Sequence, residues 1–187
     1  VVGEQSVLPQ LAAAAQSIDL VGHCARIAQR ARDIGVPVFH CTAEMRADGI
    51  GANRNTRLFA ATARSGVSIA SGTDGAGVPD AIGVAPSDVV LPRHHGLGPM
   101  TGTQLDPMLR NLGVTTIVGV GVSLNVGIFN LTLDAINRGY FMVLPRDAVA
   151  GVPPEYGDAV LANSLGLLAT LTTTQALLDA WTTGLGA

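Results

Sequence analysis

The chain has 187 residues, of which 48% are hydrophobic and 13% are charged, and its formal net charge is −3. This composition excludes a disordered chain and gives no electrostatic reason to expect nucleic acid or an anionic membrane as a partner. All 11 basic residues are Arg, which excludes a catalytic, Schiff-base or phosphate-loop lysine in this sequence. No apolar run reaches the roughly 18–20 residues of a membrane span, and the length fits a single domain over 1–187.

The first half of the sequence predicts a helix, a strand and a long loop. Apolar residues recur at helical spacing across 10–34, and Gly35 ends that pattern. The β-favouring stretch 36–44 follows as a strand. Residues 45–87 are rich in Gly, Ala, Ser and Asp, with one short helix predicted near 55–64. A loop of this length in a compact domain is usually functional or covers another subunit.

The second half alternates strands with helices. Strands are predicted over 87–96, 115–123 and 140–151, and helices over 101–114, 125–139 and 154–181, the last broken near 171–174. Thr103 and Asn125 are the candidate N-caps of their helices. The alternation predicts a three-layer α/β/α fold around a mostly parallel sheet with right-handed crossovers.

Ligands of such sheets bind at the carboxyl ends of the strands. The polar residues predicted there are His40, Cys41, Thr42, Glu44, Arg93, His94, His95, Ser123, Asn125, Arg146 and Asp147. Cys24 and Cys41 match no paired-cysteine motif. We expect both to be small buried residues in the reducing environment of a cytoplasmic protein.

The stretch "GVSLNVGIFNLTLDAINRGY", residues 121–140, and the strand that follows it to Asp147 and Ala148 resemble the isochorismatase-like (cysteine hydrolase) superfamily. "GTQLDPMLRNLGV", residues 102–114, is similar to a helix of that superfamily, and "GVPVFHCTAE", residues 35–44, to its second strand. The resemblance extends over most of the chain and implies the three-layer α/β/α fold already predicted from the alternation.

In this superfamily an Asp, a Lys and a Cys hydrolyse amides, and the Cys lies at a helix start that favours its thiolate. The resemblance places Gly127 at the Cys position and Arg93 or His94 nearest to the Lys position. The Asp belongs at the end of a first strand that this sequence does not contain, so we expect the natural protein to continue upstream of Val1. The chain is thus identified as a divergent member that lacks the Cys and the Lys.

The branch of the superfamily that acts on isochorismate also has Gly at the Cys position, and there an acidic side chain protonates a vinyl ether without covalent attack. Gly127 then leaves room for substrate over backbone amides that can hold a carboxylate; the alternative is a helix-packing glycine. The first hypothesis is acid–base hydrolysis of a small, anionic, carboxylated substrate. The second is a catalytically silent binding or structural subunit, which the loss of two of the three catalytic residues favours.

Arg93 is the candidate anchor for a substrate carboxylate, because a guanidinium binds carboxylates in a bidentate manner and cannot act as a general base. Its alternative is a surface charge. His94, His95 and Glu44 are the candidate catalytic residues in the chain. Adjacent histidines in an extended segment point to opposite sides, so we expect at most one of them in the site. The alternative interpretation of each of these three residues is an ordinary loop position without a catalytic role.

Val122 and Ser123 are the further candidate substrate-binding residues, because the bond between them is often cis in the superfamily. We expect no cofactor and no metal. Adjacent histidines are not a chelating pair, and "HCTAEMRADG", residues 40–49, does not reproduce the zinc-binding region of some members. The low charged fraction and the long loop 45–87 together predict a homo-oligomer.

Overall fold

The computed structural model describes residues 2–3, 6–66 and 69–184. The helices are α1 (Pro9–Ser17), α2 (Leu20–Asp33), α3 (Arg57–Arg64), α4 (Leu105–Asn111), α5 (Phe129–Asn137), α6 (Pro154–Asn163) and α7 (Thr174–Thr183). The strands are β1 (Phe39–Ala43), β2 (Val89–Arg93), β3 (Thr116–Val118), β4 (Gly121–Val122), β5 (Phe141–Pro145), β6 (Val149–Ala150) and β7 (Thr170–Thr172). A π-helical turn, Leu124–Ile128, leads into α5, and a 3₁₀ turn, Leu165–Leu167, follows α6.

The described strands pair only in parallel. β1 pairs with β2, β5 lies between β3 and β7, and β4 pairs with β6 as the continuation of β3 and β5. One apolar cluster packs α4, α5 and α6 against the sheet, and a second packs α1, α2 and α7. The predicted three-layer α/β/α fold with a parallel sheet is therefore confirmed.

A gap separates β1 from β3. Among the described residues, β1 pairs only with β2, and β3 pairs with β5. The gap is a cavity of about 440 Å³, and both strands and helix α2 contribute to its walls. The first strand that the resemblance implies was expected upstream of Val1, so the structure does not test that expectation. Val1, Glu4 and Gln5 lie outside the described residues.

Two predicted elements are each divided in two. The predicted helix 10–34 is two helices, because Asp19 between them takes a left-handed backbone conformation with φ of 49°. The predicted strand 115–123 is interrupted after Val118, and Gly121 begins its second part with φ of 109°. The sequence carries no signal at Asp19 that would have predicted the break.

The end of the chain also differs from the prediction. The predicted strand 140–151 is divided into β5 and β6, and the predicted break at 171–174 contains strand β7. β7 pairs with β5 through three residues only, which is too short for an alternating pattern to be recognised. The short helix predicted near 55–64 is confirmed as α3, with the hydroxyl of Thr56 accepting a bond from the Phe59 amide at 3.2 Å.

Neither predicted N-cap is the N-cap of its helix. The N-cap of α4 is Gln104, and Thr103 lies one residue earlier, where its hydroxyl accepts a hydrogen bond from the Leu105 amide at 3.2 Å. Asn125 does not cap a helix. It lies inside the π-helical turn, where its side chain donates to the Val152 carbonyl at 3.1 Å.

Candidate active site at the carboxyl ends of the strands

Arg93 ends strand β2 and lines the 440 Å³ cavity. Its guanidinium donates to the carbonyls of His95, at 3.2 Å, and Gly96. Burial lowers the pKa of the guanidinium, and nearby Cys41 acts in the opposite direction. Arg93 forms no ion pair with a carboxylate of the described residues. A guanidinium has five N–H donors, so this half-buried cation keeps donors available for an anion.

Gly127 lies in the π-helical turn and lines the same cavity as Arg93. A Cβ atom added there would lie 3.4 Å from the Val122 carbonyl oxygen and 3.8 Å from that of Leu97. These are ordinary van der Waals distances. The backbone has room for a small side chain at position 127, so close packing does not account for the glycine.

Val122 and Ser123 join strand β4 to the π-helical turn. The peptide bond between them is cis, in agreement with the superfamily resemblance. Val122 lines the cavity, and the carbonyl of Ser123 accepts hydrogen bonds from the amides of Val126, at 3.3 Å, and Ile128, at 3.0 Å. Ser123 therefore holds the turn that carries Gly127.

Glu44 and His94 lie together just beyond the ends of β1 and β2. The hydroxyl of Thr42 donates to Glu44 Oε1 at 2.6 Å, and Glu44 Oε2 lies 4.0 Å from His94 Nε2. That histidine nitrogen also lies 3.1 Å from the Ser71 hydroxyl. The Glu44 side chain is 13% exposed and that of His94 46% exposed. Glu44 is thus a bonded carboxylate rather than a freely solvated one, although neither residue lines the cavity.

His95 lies in a different place from its neighbour. It lines a second cavity of about 320 Å³, whose other lining residues are Asn53, Asn55, Thr56, Phe59, Gly96, Leu97, Gly98, Thr101 and Asn130. Leu97 lines both cavities. The prediction that the two histidines point apart is confirmed. Arg93, Val122 and Gly127 share one cavity, His95 lines the other, and His94 lies with Glu44.

Two polar residues of this region, Asn53 and Asn130, were missed as site candidates. Thr42, which was predicted at the strand end, donates to Glu44, and Asn53 accepts a hydrogen bond from the Gly96 amide at 2.7 Å. Asn130 lines the second cavity three positions after Gly127, a spacing that places both residues on one helix face. That spacing could have identified Asn130, whereas Asn53 lies in the long loop and has no comparable signal.

The two cysteines occupy different environments. Cys24 is buried as expected, and burial raises the pKa of its thiol to about 12. The expectation that Cys41 is buried is wrong, because it lies on the side of β1 that borders the gap. Its apolar surroundings nevertheless raise the pKa of its thiol to about 11, with Arg93 opposing that shift. Neither thiol lies in the turn that carries Gly127.

Within the described ranges, no three His, Cys, Asp or Glu side chains are close enough together to hold a metal ion. In the same ranges, no helix has the length and apolar character needed to cross a membrane.

The isochorismatase domain family matches residues 4–176. The ureidoacrylate amidohydrolase RutB of Methylorubrum extorquens is 36% identical over 97 residues, which cover 51% of this chain and 38% of that protein. An isochorismatase family protein of Burkholderia thailandensis has a similar structure, with a TM-score of 0.76 and 27% identity over 88% of this chain and 83% of that one. A relative from Desulfovibrio vulgaris has a TM-score of 0.77 and 25% identity over 88% and 85%. The chain spans about two fifths of the curated relative that it matches. It belongs to the isochorismatase family.

Proposed function

We propose that this protein is a hydrolase that acts by acid–base chemistry, without a covalent intermediate, on a small carboxylated substrate. One observation supports this above all. The half-buried guanidinium of Arg93 has no acidic partner among the described residues and lines the same cavity as Gly127. A partly desolvated cation gains most from an anion that brings paired hydrogen bonds, as a carboxylate does.

In this proposal the substrate carboxylate binds Arg93, and the rest of the molecule extends towards Gly127. The absent side chain at position 127 leaves space at the start of the helix. Backbone amides at a helix start favour negative charge, so they can hold a carboxylate or another anionic group of the substrate there. Val122 and Ser123 orient this turn through the hydrogen bonds to the Ser123 carbonyl.

The proton comes from an acidic side chain. The superfamily resemblance assigns that acid to the end of the first strand of the fold. Within the chain, we assign proton transfer back to this acid to Glu44 and His94. Their side chains lie 4.0 Å apart, just beyond the ends of β1 and β2. His95 lines the second cavity, so it contacts a substrate only if that substrate extends from the first cavity past Leu97 into the second.

Some relatives are named amidohydrolases, so amides are the main alternative class of substrate. Covalent attack on an amide needs a nucleophile at position 127, and glycine has none. We therefore propose a carboxylated vinyl ether as the substrate class. A catalytically silent subunit is the second candidate, and the observation that favours it is the absence of any lysine together with Gly127. A homo-oligomer in the cytoplasm is proposed for either form.

The test is a turnover assay in D₂O with a panel of small carboxylated vinyl ethers and carboxylated ureido amides, read by mass spectrometry. Acid–base hydrolysis of a vinyl ether adds a proton to carbon, and water then replaces the alcohol, so the carbonyl product carries one carbon-bound deuterium. Turnover of the vinyl ethers with this label supports the proposal. Carboxylate binding without turnover of either class supports the silent subunit, and turnover confined to the amides contradicts the proposed mechanism.

A further inference from the structure

The second cavity, of about 320 Å³, lies beside the first and shares Leu97 with it. Its walls come from the start of α3, the loop after β2 and the first turn of α5. Among the described residues, no Asp, Glu or Arg lines it. Neither a carboxylate nor an ammonium group would therefore meet a permanent countercharge in its walls, whereas a neutral polar ligand needs none.

Each of the three walls has a polar side chain with hydrogen-bonding capacity that the fold does not use. The carboxamide of Asn130 and the ring of His95 form no hydrogen bond with another described residue. Asn55 Oδ1 accepts from Asn53 Nδ2 at 3.3 Å, but the amide nitrogen of Asn55 has no partner in the described part of the chain. Together these groups offer a ligand both donors and acceptors.

Two glycines make room for two of these side chains. A Cβ atom at Gly98 would collide with the Asn130 carboxamide, and one at Gly102 would lie 2.6 Å from Cε1 of His95. Gly102 also takes a φ of 75°, which favours glycine. The positions of Asn130 and His95 at the cavity therefore depend on the absence of side chains at 98 and 102.

We propose that the second cavity binds a neutral primary carboxamide group. Such a group donates and accepts in one plane, so it can form two antiparallel hydrogen bonds with the carboxamide of Asn130. A carboxylate has no proton to donate to Asn130 Oδ1, an ammonium group has no acceptor, and an alcohol replaces only one of the two bonds. Phe59 and Leu97 supply apolar surface for the rest of the ligand. The amide serves for binding and is not the bond that reacts, so the inference does not depend on the proposed reaction.

The test compares benzamide, benzoate and benzyl alcohol, which share one ring, by NMR titration of the isotope-labelled full chain. We expect benzamide to shift the side-chain amide signal of Asn130 and the backbone amide signal of Gly98, with an affinity at least about tenfold above that of benzyl alcohol. Benzoate should act at Arg93 in the first cavity and leave these two signals in place. Failure of the proposed function thus shows with benzoate, and failure of this inference shows with benzamide.

Two variants locate the amide. Asn130→Ala should lower the affinity for benzamide at least about tenfold, read at the Gly98 signal, and leave the affinity for benzoate unchanged. Asn163→Ala is the matched control, because it removes an exposed helix carboxamide on α6, and it should change neither affinity. If Asn130→Ala does not fold, Asn55→Ala at an exposed position decides, and we expect a loss of about threefold or more.

The amide can belong to a separate small molecule or to an arm of the substrate, and the monoamides of succinic, glutaric and adipic acid separate these sources. Binding that both Arg93→Ala and Asn130→Ala weaken identifies a substrate arm that spans the two cavities. Binding that Asn130→Ala alone weakens identifies a separate ligand. Equal affinities for benzamide and benzyl alcohol, benzoate shifts at Asn130 as large as those of benzamide, or benzamide affinity unchanged in the variants overturns the proposal.

Discussion

Arg93 and Gly127 line one cavity, although Arg93 ends strand β2 and Gly127 lies in the turn before α5. The guanidinium supplies positive charge, and the glycine leaves space beside the first backbone amides of a helix. A small anion in this cavity therefore meets a cation and a helix start. Replacing either residue should therefore change the affinity for a small anion.

Replacing Arg93 by Ala removes the proposed carboxylate anchor. We expect kcat/KM, or the affinity for a small carboxylate, to fall at least about tenfold, which is about 1.4 kcal/mol. Arg93→Lys keeps the charge but not the paired donors, so its loss should be intermediate. Titration calorimetry and initial rates measure both. The control is Arg46→Ala, whose exposed guanidinium pairs with Asp48, and a loss as large there contradicts a specific role for Arg93.

The cysteines are expected to be dispensable for turnover. Raised pKa values, about 12 for Cys24 and about 11 for Cys41, keep both thiols protonated near neutral pH. Cys24→Ala and Cys41→Ser should therefore leave the turnover rate within about tenfold of the parent. Initial rates test this. If Cys41→Ser abolishes turnover, and the parent forms an acyl-enzyme that the variant does not, the nucleophile lies on β1 and the non-covalent mechanism is wrong.

Gly127→Ala should preserve the fold and impair the site. The added Cβ meets the Val122 carbonyl at 3.4 Å, an ordinary contact, so we expect the free energy of unfolding to change by less than about 1 kcal/mol. Carboxylate affinity should decrease, since the methyl group enters the cavity. Gly98→Ala is the contrasting variant, because its Cβ collides with the Asn130 side chain and should lower stability. Urea unfolding that shows Gly127→Ala as the less stable of the two contradicts this account.

Asp88 should make stability depend on pH in the acid range. Its side chain is 1% exposed and accepts bonds from Arg32 at 2.6 Å, His40 at 2.8 Å and the Ala85 amide at 2.9 Å. The hydrogen bond from Arg32 is the largest cause that holds the pKa of this carboxyl well below its usual range. A lowered folded-state pKa means that the stabilisation is complete above the unfolded value of about 3.9 and is lost as the pH falls towards the folded value.

Asp88→Asn is therefore expected to lower the free energy of unfolding by about 3 kcal/mol at neutral pH, since it leaves Arg32 without its partner. Between pH 5 and about pH 3, the parent should lose more stability than the variant does. Urea unfolding across this range measures both slopes. Asp80→Asn, at an exposed carboxylate, serves as control, and parallel slopes for parent and Asp88→Asn contradict the assignment.

The long loop should lie against another copy of the chain. Among the described residues of 45–87, Ala76 alone is buried, and elsewhere Phe141 is 73% and Leu167 82% exposed. Apolar surface of this kind favours association. Sedimentation velocity at micromolar concentration should show a species larger than the 19.1 kDa monomer. A single monomer boundary up to high micromolar concentration contradicts the prediction.

The order of the elements could be predicted because long apolar strands and amphipathic helices leave clear periodic patterns. Short elements could not: β7 has three residues and β6 has two. The shared position of Arg93 and Gly127 followed from the rule that strand ends meet at one edge of a parallel sheet. The second cavity did not. Asn53 reaches it from a loop, and the position of helix α3, which carries Phe59, depends on the path of that loop, which no sequence period encodes.

Part of the resemblance reflects structure rather than chemistry. The hydroxyl of Thr132 donates to the Ile128 carbonyl at 2.9 Å, and the Tyr140 hydroxyl donates to Asp106 at 2.9 Å. Asp147 accepts the Thr174 amide at 2.8 Å and so holds the start of α7. A residue that this chain shares with the family motif can therefore stabilise a helix or the packing instead of taking part in the chemistry. Only the surroundings of the residue in the structure distinguish these roles.

Arg93 and Gly127 belong to different parts of the fold. Arg93 reaches the cavity from the β1–β2 side, and Gly127 reaches it from the side of β3 and α5. An anion held by both residues therefore favours one separation of the two sides. Its binding and that separation are thermodynamically linked, so that a variant which changes the packing between the two sides also changes the affinity for the anion.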